Sequence, residues 1–260
     1  MSLSRVCVVV CVLVLAGCAI GPRHQASDAA AAARLRSVVI VQPPDQARYS
    51  SAISDPGPMV TGGPPALAVL QLGVLLALVA DAQHKGTQLT AAVEPLQPRL
   101  QERLAELLRE GLAAQGFEPR IVVAPALGGG GGTATWLRGQ AIDDALGWLR
   151  GQGPADAALV FLLDAGVSKD PPTQAWCPTL AATVRGVDLV SGSVLYEDSF
   201  GVGCAKPALD LRRIDSAAEH RFESFDAMLA DPARVRDGWY AGLGLIADAI
   251  LQDIERRAAP

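Results

Sequence analysis

Five cysteines, three histidines and a few adjacent carboxylates are the side chains whose chemistry could define this 260-residue chain. The histidines come first, because a metal or a general base would need them. His24, His84 and His220 are scattered, and none has a second ligand at metal-binding spacing. Glu219, His220 and Glu223 gather near a helix start and read as a solvated capping cluster. Gly128–Gly132 precedes a helical pattern, where backbone N–H groups can hold phosphate. No Gly-Lys-Ser/Thr follows, so the five glycines read as a linker. No Gly-x-Ser-x-Gly elbow occurs. Asp143-Asp144 and Glu197-Asp198 are sequence neighbours, and neighbours share a face neither on a helix nor on a strand. The expectation is therefore no catalytic residue, no metal ligand and no cofactor. The chemistry that is left belongs to Cys18, Cys177 and Cys204.

Cys18 stands at the edge of the first apolar run, Val6–Leu15, which follows the single charge of Arg5. A spanning helix needs roughly 20 apolar residues. This run is shorter and turns polar at Gly21-Pro22-Arg23, the layout of a targeting segment. Leu15-Ala16-Gly17-Cys18 resembles the lipobox of bacterial lipoproteins. The resemblance implies cleavage before Cys18 and acylation of Cys18. One acyl chain anchors only marginally, whereas two or more hold a protein on a bilayer. Ala19 follows the cysteine, where an aspartate in that family marks inner-membrane retention. The implied location is the outer membrane, with the domain facing the periplasm.

Removal of residues 1–17 takes away Arg5 alone among the charges, so the net charge moves from −5 to −6. An acidic chain without a basic patch argues against nucleic-acid binding. Hydrophobic residues make up 50% of the chain but aromatics only 5%, so the core must be aliphatic. Cys7 and Cys11 leave with the signal, and Cys18 would carry lipid. Cys177 and Cys204 are then an even pair in an oxidising compartment. Residues 18–36 read as a flexible acylated tether, and residues 37–260 as one α/β domain.

The elements that must position these groups follow from periodicity. Ser37–Pro43 is a short β-branched run, stopped by Pro43-Pro44 and followed by a Pro/Gly loop over residues 45–65. Ala66–Ala82 is uncharged until Asp81 and predicts an apolar helix. Its charge-free part is too short to span a bilayer and apolar all round, so something must cover it. Domain core, membrane and a partner protein are all open as the cover. Leu72, Leu75 and Leu76 are its candidate partner-binding residues. Within Thr90–Arg120, Leu100, Leu104, Leu107, Leu108 and Leu112 mark an amphipathic helix, with Pro98 in its first turn and Gly116 at its C-cap. Ile121–Leu127 predicts a strand, Thr133–Arg150 a helix and Ala157–Ser168 another strand. Two β-rich runs flank Val190-Ser191-Gly192, a tight turn. Folding about that turn sets Cys177 and Cys204 opposite each other to within a residue, which predicts a structural disulfide across the open end of a hairpin. The last helix opens at Asp231-Pro232 and carries Val235, Trp239, Leu243, Ile246, Ile250 and Ile254 at helical spacing.

The order predicts an α/β fold: a mixed sheet of about five strands, helices packed on its faces and a late β-hairpin. Ala155-Asp156-Ala157-Ala158-Leu159-Val160 and Val187-Asp188-Leu189-Val190-Ser191-Gly192 resemble stretches of periplasmic lipoproteins with the TolB N-terminal or curli-secretion fold. That resemblance implies a non-enzymatic assembly or regulatory binding module anchored to the outer membrane through Cys18. The alternatives are an oligomeric secretion subunit whose segment 66–80 inserts in the membrane, and an envelope hydrolase. A homo-oligomer and an envelope protein partner are both compatible with the sequence.

Overall fold

The computed structural model describes residues 36–45, 48–51, 65–124, 142–170, 172–204 and 211–258. The strands are β1 (Ser37–Gln42), β2 (Ser50–Ser51), β3 (Glu118–Val123), β4 (Ala157–Lys169), β5 (Trp176–Asp188), β6 (Val194–Gly203) and β7 (Arg212–Asp215). The helices are α1 (Pro65–Val93), α2 (Leu100–Ala114), α3 (Ile142–Gly151), α4 (Phe225–Ala230) and α5 (Pro232–Ala258). All seven strands form one mixed sheet in the order β3-β1-β4-β5-β6-β7, with β2 added alongside β4. The expected α/β architecture is present. The two strands beyond those marked by the sequence pattern are β2, which is two residues long, and the charged β7.

Side-chain alternation divides the sheet into two faces. Val38, Ile40, Leu159, Phe161, Leu163, Leu180, Ala182, Val184, Phe200 and Val202 face α1, α2, α4 and α5 and form the main core. Val39, Val41, Ala158, Val160 and Val187 face the other way, onto Trp148 and Leu149 of α3. The leucines of α2 behave as their spacing predicts: Leu100, Leu104, Leu108 and Leu112 are buried and Leu107 is partly buried. In α5, Val235, Trp239, Leu243, Ile246 and Ile250 are fully buried.

Several boundaries differ from the sequence pattern. β3 begins three residues before Ile121, because Glu118 N–H already donates to Arg36 O (2.8 Å). α2 begins at Leu100, so Pro98 lies outside its first turn, and Thr90 belongs to the preceding helix α1. Gly116 closes α2 with φ 87°, as expected of a glycine just past a helix end. The glycine linker 128–132 and the first part of the predicted helix 133–150 lie outside the described residues.

β3 forms one rim of the sheet. Alternate N–H groups, from Glu118 to Ala124, point toward β1. The intervening ones, at positions 119, 121 and 123, point outward. Pro119 occupies one of these and has no N–H to offer, which blunts the edge against further pairing. The opposite rim, β7, carries Arg212, Arg213 and Asp215, with Arg213 and Asp215 ion-paired at 2.7 Å.

Asp156 explains one of the two motifs quoted above. Its Oδ2 accepts Arg36 N–H (2.8 Å), Ser37 N–H (2.8 Å) and Ser37 Oγ–H (3.1 Å). The backbone donors of Ser37 and Arg36 hold its carboxyl below the usual aspartate value. Asp156 therefore ties the start of β1 to the start of β4. In the second motif, Asp188 Oδ1 accepts Val190 N–H and Ser191 N–H in the hairpin turn, and Gly192 takes φ 75°. Both motifs are structural devices of the sheet.

Candidate functional site

The connections place a crevice at the carboxyl end of β1. β1 is followed by α1 and α2 on one face of the sheet, whereas β3 is followed by α3 on the other. Strands whose connections leave to opposite faces part at their carboxyl ends, and in open α/β sheets ligands bind there. After Gln42 the chain leaves β4 and rejoins it only as β2, at Gly166 and Val167. In the gap, Gln101 Nε2 of α2 donates to Leu163 O of β4 (2.9 Å). A cleft of about 350 Å³ lies beside this gap, lined by Asp45, Tyr49, Thr90, Glu94, Gln97, Pro98 and Arg99.

Each wall has a local cause. Tyr49 stacks on the fully buried Trp239, with ring centroids 4.6 Å apart and planes at 19°. Trp239 is fixed in turn by its Nε1–H, which donates to Gly166 O (2.9 Å). A Cβ on Gly166 would meet Ser50 O at 2.2 Å, so only glycine lets β2 approach here. Tyr49 N–H donates to Thr90 Oγ1 (3.0 Å), and the Thr90 hydroxyl donates to Gly86 O (2.8 Å). Tyr240 O–H donates to Pro98 O (2.9 Å) and holds the α1–α2 connection from below.

That connection is strained. Gln97 (φ 41°) and Arg99 (φ 43°) both occupy the left-handed region on either side of Pro98. Non-glycine residues held there cost on the order of 1–3 kcal/mol each and cluster at functional sites. Arg99 is the N-cap of α2, yet its side chain makes no capping hydrogen bond. The Asp45 carboxylate, from another segment, lies beside the first turn of α2, close enough to feel Gln101 N–H. Partial desolvation and then the nearby Glu102 charge push the Asp45 carboxyl up, against the opposing pull of Gln101 N–H and Arg99. Burial, followed by the Asp45 charge, pushes the Tyr49 phenol up to about 12, so it stays protonated at neutral pH.

The described lining holds acceptors, one guanidinium and one aromatic ring, with no Cys, His or Ser to act as nucleophile or base. Such a cleft can bind. The sequence marks the loop 45–65, which holds Asp45 and Tyr49, as a binding surface and Pro98 as a helix-start residue, but it does not bring them together with Thr90, Glu94, Gln97 and Arg99. The available signal was Glu94-Pro95-Leu96-Gln97-Pro98-Arg99, where two prolines in four residues break one helical pattern from the next.

The residues singled out by sequence are dispersed. Cys18 lies outside the described residues. Leu72, Leu75 and Leu76 fall on α1, but their side chains lie outside the described set. Cys177 and Cys204 are joined by a disulfide with Cα atoms 6.1 Å apart, and both are buried. The pairing is less direct than simple folding about the turn suggests. A bulge at Gly186/Val187 shifts the β5–β6 register by one residue, which sets Pro178 opposite position 204. Cys204 has left β6 in a bend, and there its side chain reaches Cys177. Glu197 and Asp198 point to opposite faces, as expected. Glu197 meets Arg185 at 2.7 Å, and Asp198 lies 3.8 Å from Arg212. Near His220, Ser224 rather than Glu219 or Glu223 caps the next helix, accepting Ala227 N–H at 3.1 Å. Among the described residues no group of three His, Cys, Asp or Glu is placed to hold a metal.

No family model matches the chain, and no curated protein matches it. Solved structures resemble it at low identity. The PelC dodecamer of Paraburkholderia phytofirmans is 17% identical, covering 70% of this chain and 78% of that one, with a TM-score of 0.27. A neuraminyllactose-binding hemagglutinin homolog from Helicobacter pylori is 11% identical over 92% and 95% of the two chains, with a TM-score of 0.37. Lipoprotein GNA1162 from Neisseria meningitidis is 17% identical over 64% and 81%, with a TM-score of 0.26. Likeness at this level leaves the activity, ligand and partners of this chain unspecified.

Proposed function

We propose that this chain is an outer-membrane lipoprotein whose single α/β domain, residues 37–260, serves the periplasm as a non-enzymatic assembly or regulatory binding module. Residues 1–17 are removed, Cys18 is acylated, and residues 18–36 tether the domain to the bilayer. The observation that carries this reading is Leu15-Ala16-Gly17-Cys18 directly behind an apolar run too short to span a membrane. The buried Cys177–Cys204 disulfide supports it, because such bonds persist in oxidising compartments. Cys18→Ser should abolish incorporation of radiolabelled palmitate and move the protein from the outer-membrane fraction to the soluble periplasm. Unchanged labelling and fractionation would refute the anchor.

A second reading, the oligomeric translocation subunit, draws on α1. This helix runs unbroken through Pro65–Val93, about 43 Å at 1.5 Å per residue. Among its described side chains, Ala77 and Ala80 are exposed, Leu78 and Val79 are half-buried, and the first buried residue is Gly86. Among the described residues no helix is long and apolar enough to cross a membrane. The lack of core packing at Ala77–Ala80 fits contact of this end of the helix with a partner or with lipid. Leu76→Asp should then leave the thermal melt unchanged while abolishing oligomerisation or membrane activity. A collapse of the melt would place this helix in the domain core, because an unpaired buried charge is severely destabilising.

A further inference from the structure

We propose that the cleft at the carboxyl end of β1 is a binding site for a small molecule carrying a protonated primary amine. This goes beyond the anchored-module reading and does not depend on it. The cleft has the volume of a small-ligand site. At about 350 Å³ it lies at the lower end of the 300–1,000 Å³ that such sites occupy, with room for roughly a dozen waters at ~30 Å³ each. It also lies where an open α/β sheet parts its connections, the place such folds use for ligands.

The charge of the lining selects the ligand. Two carboxylates, Asp45 and Glu94, line the cleft against one guanidinium, Arg99. Arg99 lies 3.5 Å from Glu102, with its side chain 61% exposed, and also acts on Asp45, so the carboxylates about the cleft outnumber its single guanidinium. Glu94 makes no ion pair with any described residue. The half-buried Tyr49 ring, backed by Trp239, supplies an aromatic wall on which an ammonium group is favoured over a neutral hydroxyl. Gln97 and Thr90 add neutral hydrogen-bonding groups beside the carboxylates. An anion would face two carboxylates, and a purely apolar ligand would strand them without partners.

The pocket is held ready. Tyr49 is fixed by Trp239 and Thr90, and Pro98 by Tyr240. The left-handed residues Gln97 and Arg99 are kept in place by these contacts before a ligand arrives. Pre-organisation of this kind lowers the ordering cost of binding.

The test is calorimetric titration of the protein as purified from the cells that express it, in mild detergent where it is membrane-bound, with 1,4-diaminobutane and glucosamine. 1-Butanol and glucose serve as neutral counterparts of similar size. Both amines are expected to bind saturably with a stoichiometry of one, and the neutral molecules at least tenfold more weakly. The aliphatic and sugar amines separate the amine from the frame that carries it: binding of either shows that the cleft takes the ammonium group, and the tighter of the two names the frame. Glu94 is exposed and makes no ion pair among the described residues, so Glu94→Gln should melt like the parent and bind the amine at least fivefold more weakly. Equal binding of amine and neutral counterpart, unchanged binding by Glu94→Gln, or no heat from either amine at millimolar concentration would each overturn the proposal.

Discussion

Trp239→Ala is expected to destabilise the domain by about 3–5 kcal/mol, the cost of emptying a large, fully packed aromatic site. The loss has three parts. The indole fills space at the centre of the main core, where its exposure is 0%. Its Nε1–H is the donor to Gly166 O (2.9 Å), which that carbonyl loses. The Tyr49 ring, stacked at 4.6 Å, loses its backing and with it the wall of the cleft. Urea unfolding followed by circular dichroism reads the first two parts as a fall in midpoint. Trp239→Phe separates them. It keeps much of the volume and an aromatic face for Tyr49, and should lose only about 1–3 kcal/mol through the missing donor. A Trp239→Ala loss below about 1 kcal/mol would mean that this residue is not the centre of the core.

Breaking the Cys177–Cys204 bond is expected to cost about 2–4 kcal/mol. The bond closes a loop of sequence separation 27 and so restricts the unfolded chain. It also pins Cys204, which has left the regular strand, to the start of β5. Cys177→Ser leaves a polar hydroxyl at a fully buried position and a free thiol at Cys204, so Cys177→Ala with Cys204→Ala gives the cleaner value. Thiol titration of denatured, periplasm-purified parent protein should find neither Cys177 nor Cys204 free, and Cys177→Ser should expose one thiol. Two free thiols in the parent would refute the disulfide, and an unchanged urea midpoint in the double alanine variant would refute its structural weight.

Most of the fold was legible because one-dimensional pattern decides it. Leu100, Leu104, Leu108 and Leu112 had to share a helix face, and that face is buried. Ser37–Gln42 and the first half of Ala157–Lys169 are apolar enough to be central strands covered on both sides, and they are, whereas Asp164 further along β4 is exposed. β2 was not legible, since two serines have no strand pattern and pair with Gly166 and Val167 of β4, far away in sequence. β7 was not legible either, because Arg212-Arg213-Ile214-Asp215 carries the charge of an edge and not the apolar run of a core strand. The hairpin was legible as to its turn and its two cysteines. The one-residue bulge was not, because register depends on how the two strands pack against the rest of the sheet.

The cleft shows the same division more sharply. Its residues come from three stretches, 45–49, 90–94 and 97–99, none of which has a motif. Sequence alone determined the anchor chemistry expected at Cys18, the acidic charge, the presence of two cysteines for one bond and the order of helices and strands. These follow from local composition and from periods of two and 3.6 residues. Tertiary structure alone decided that α2 and α3 lie on opposite faces of the sheet, which opens a crevice at the end of β1. It also decided that Asp45 lies beside the first turn of a helix to which it is not joined, and that Trp239 holds Tyr49 across 190 positions of sequence. These contacts depend on which distant segments meet, and no local pattern encodes them.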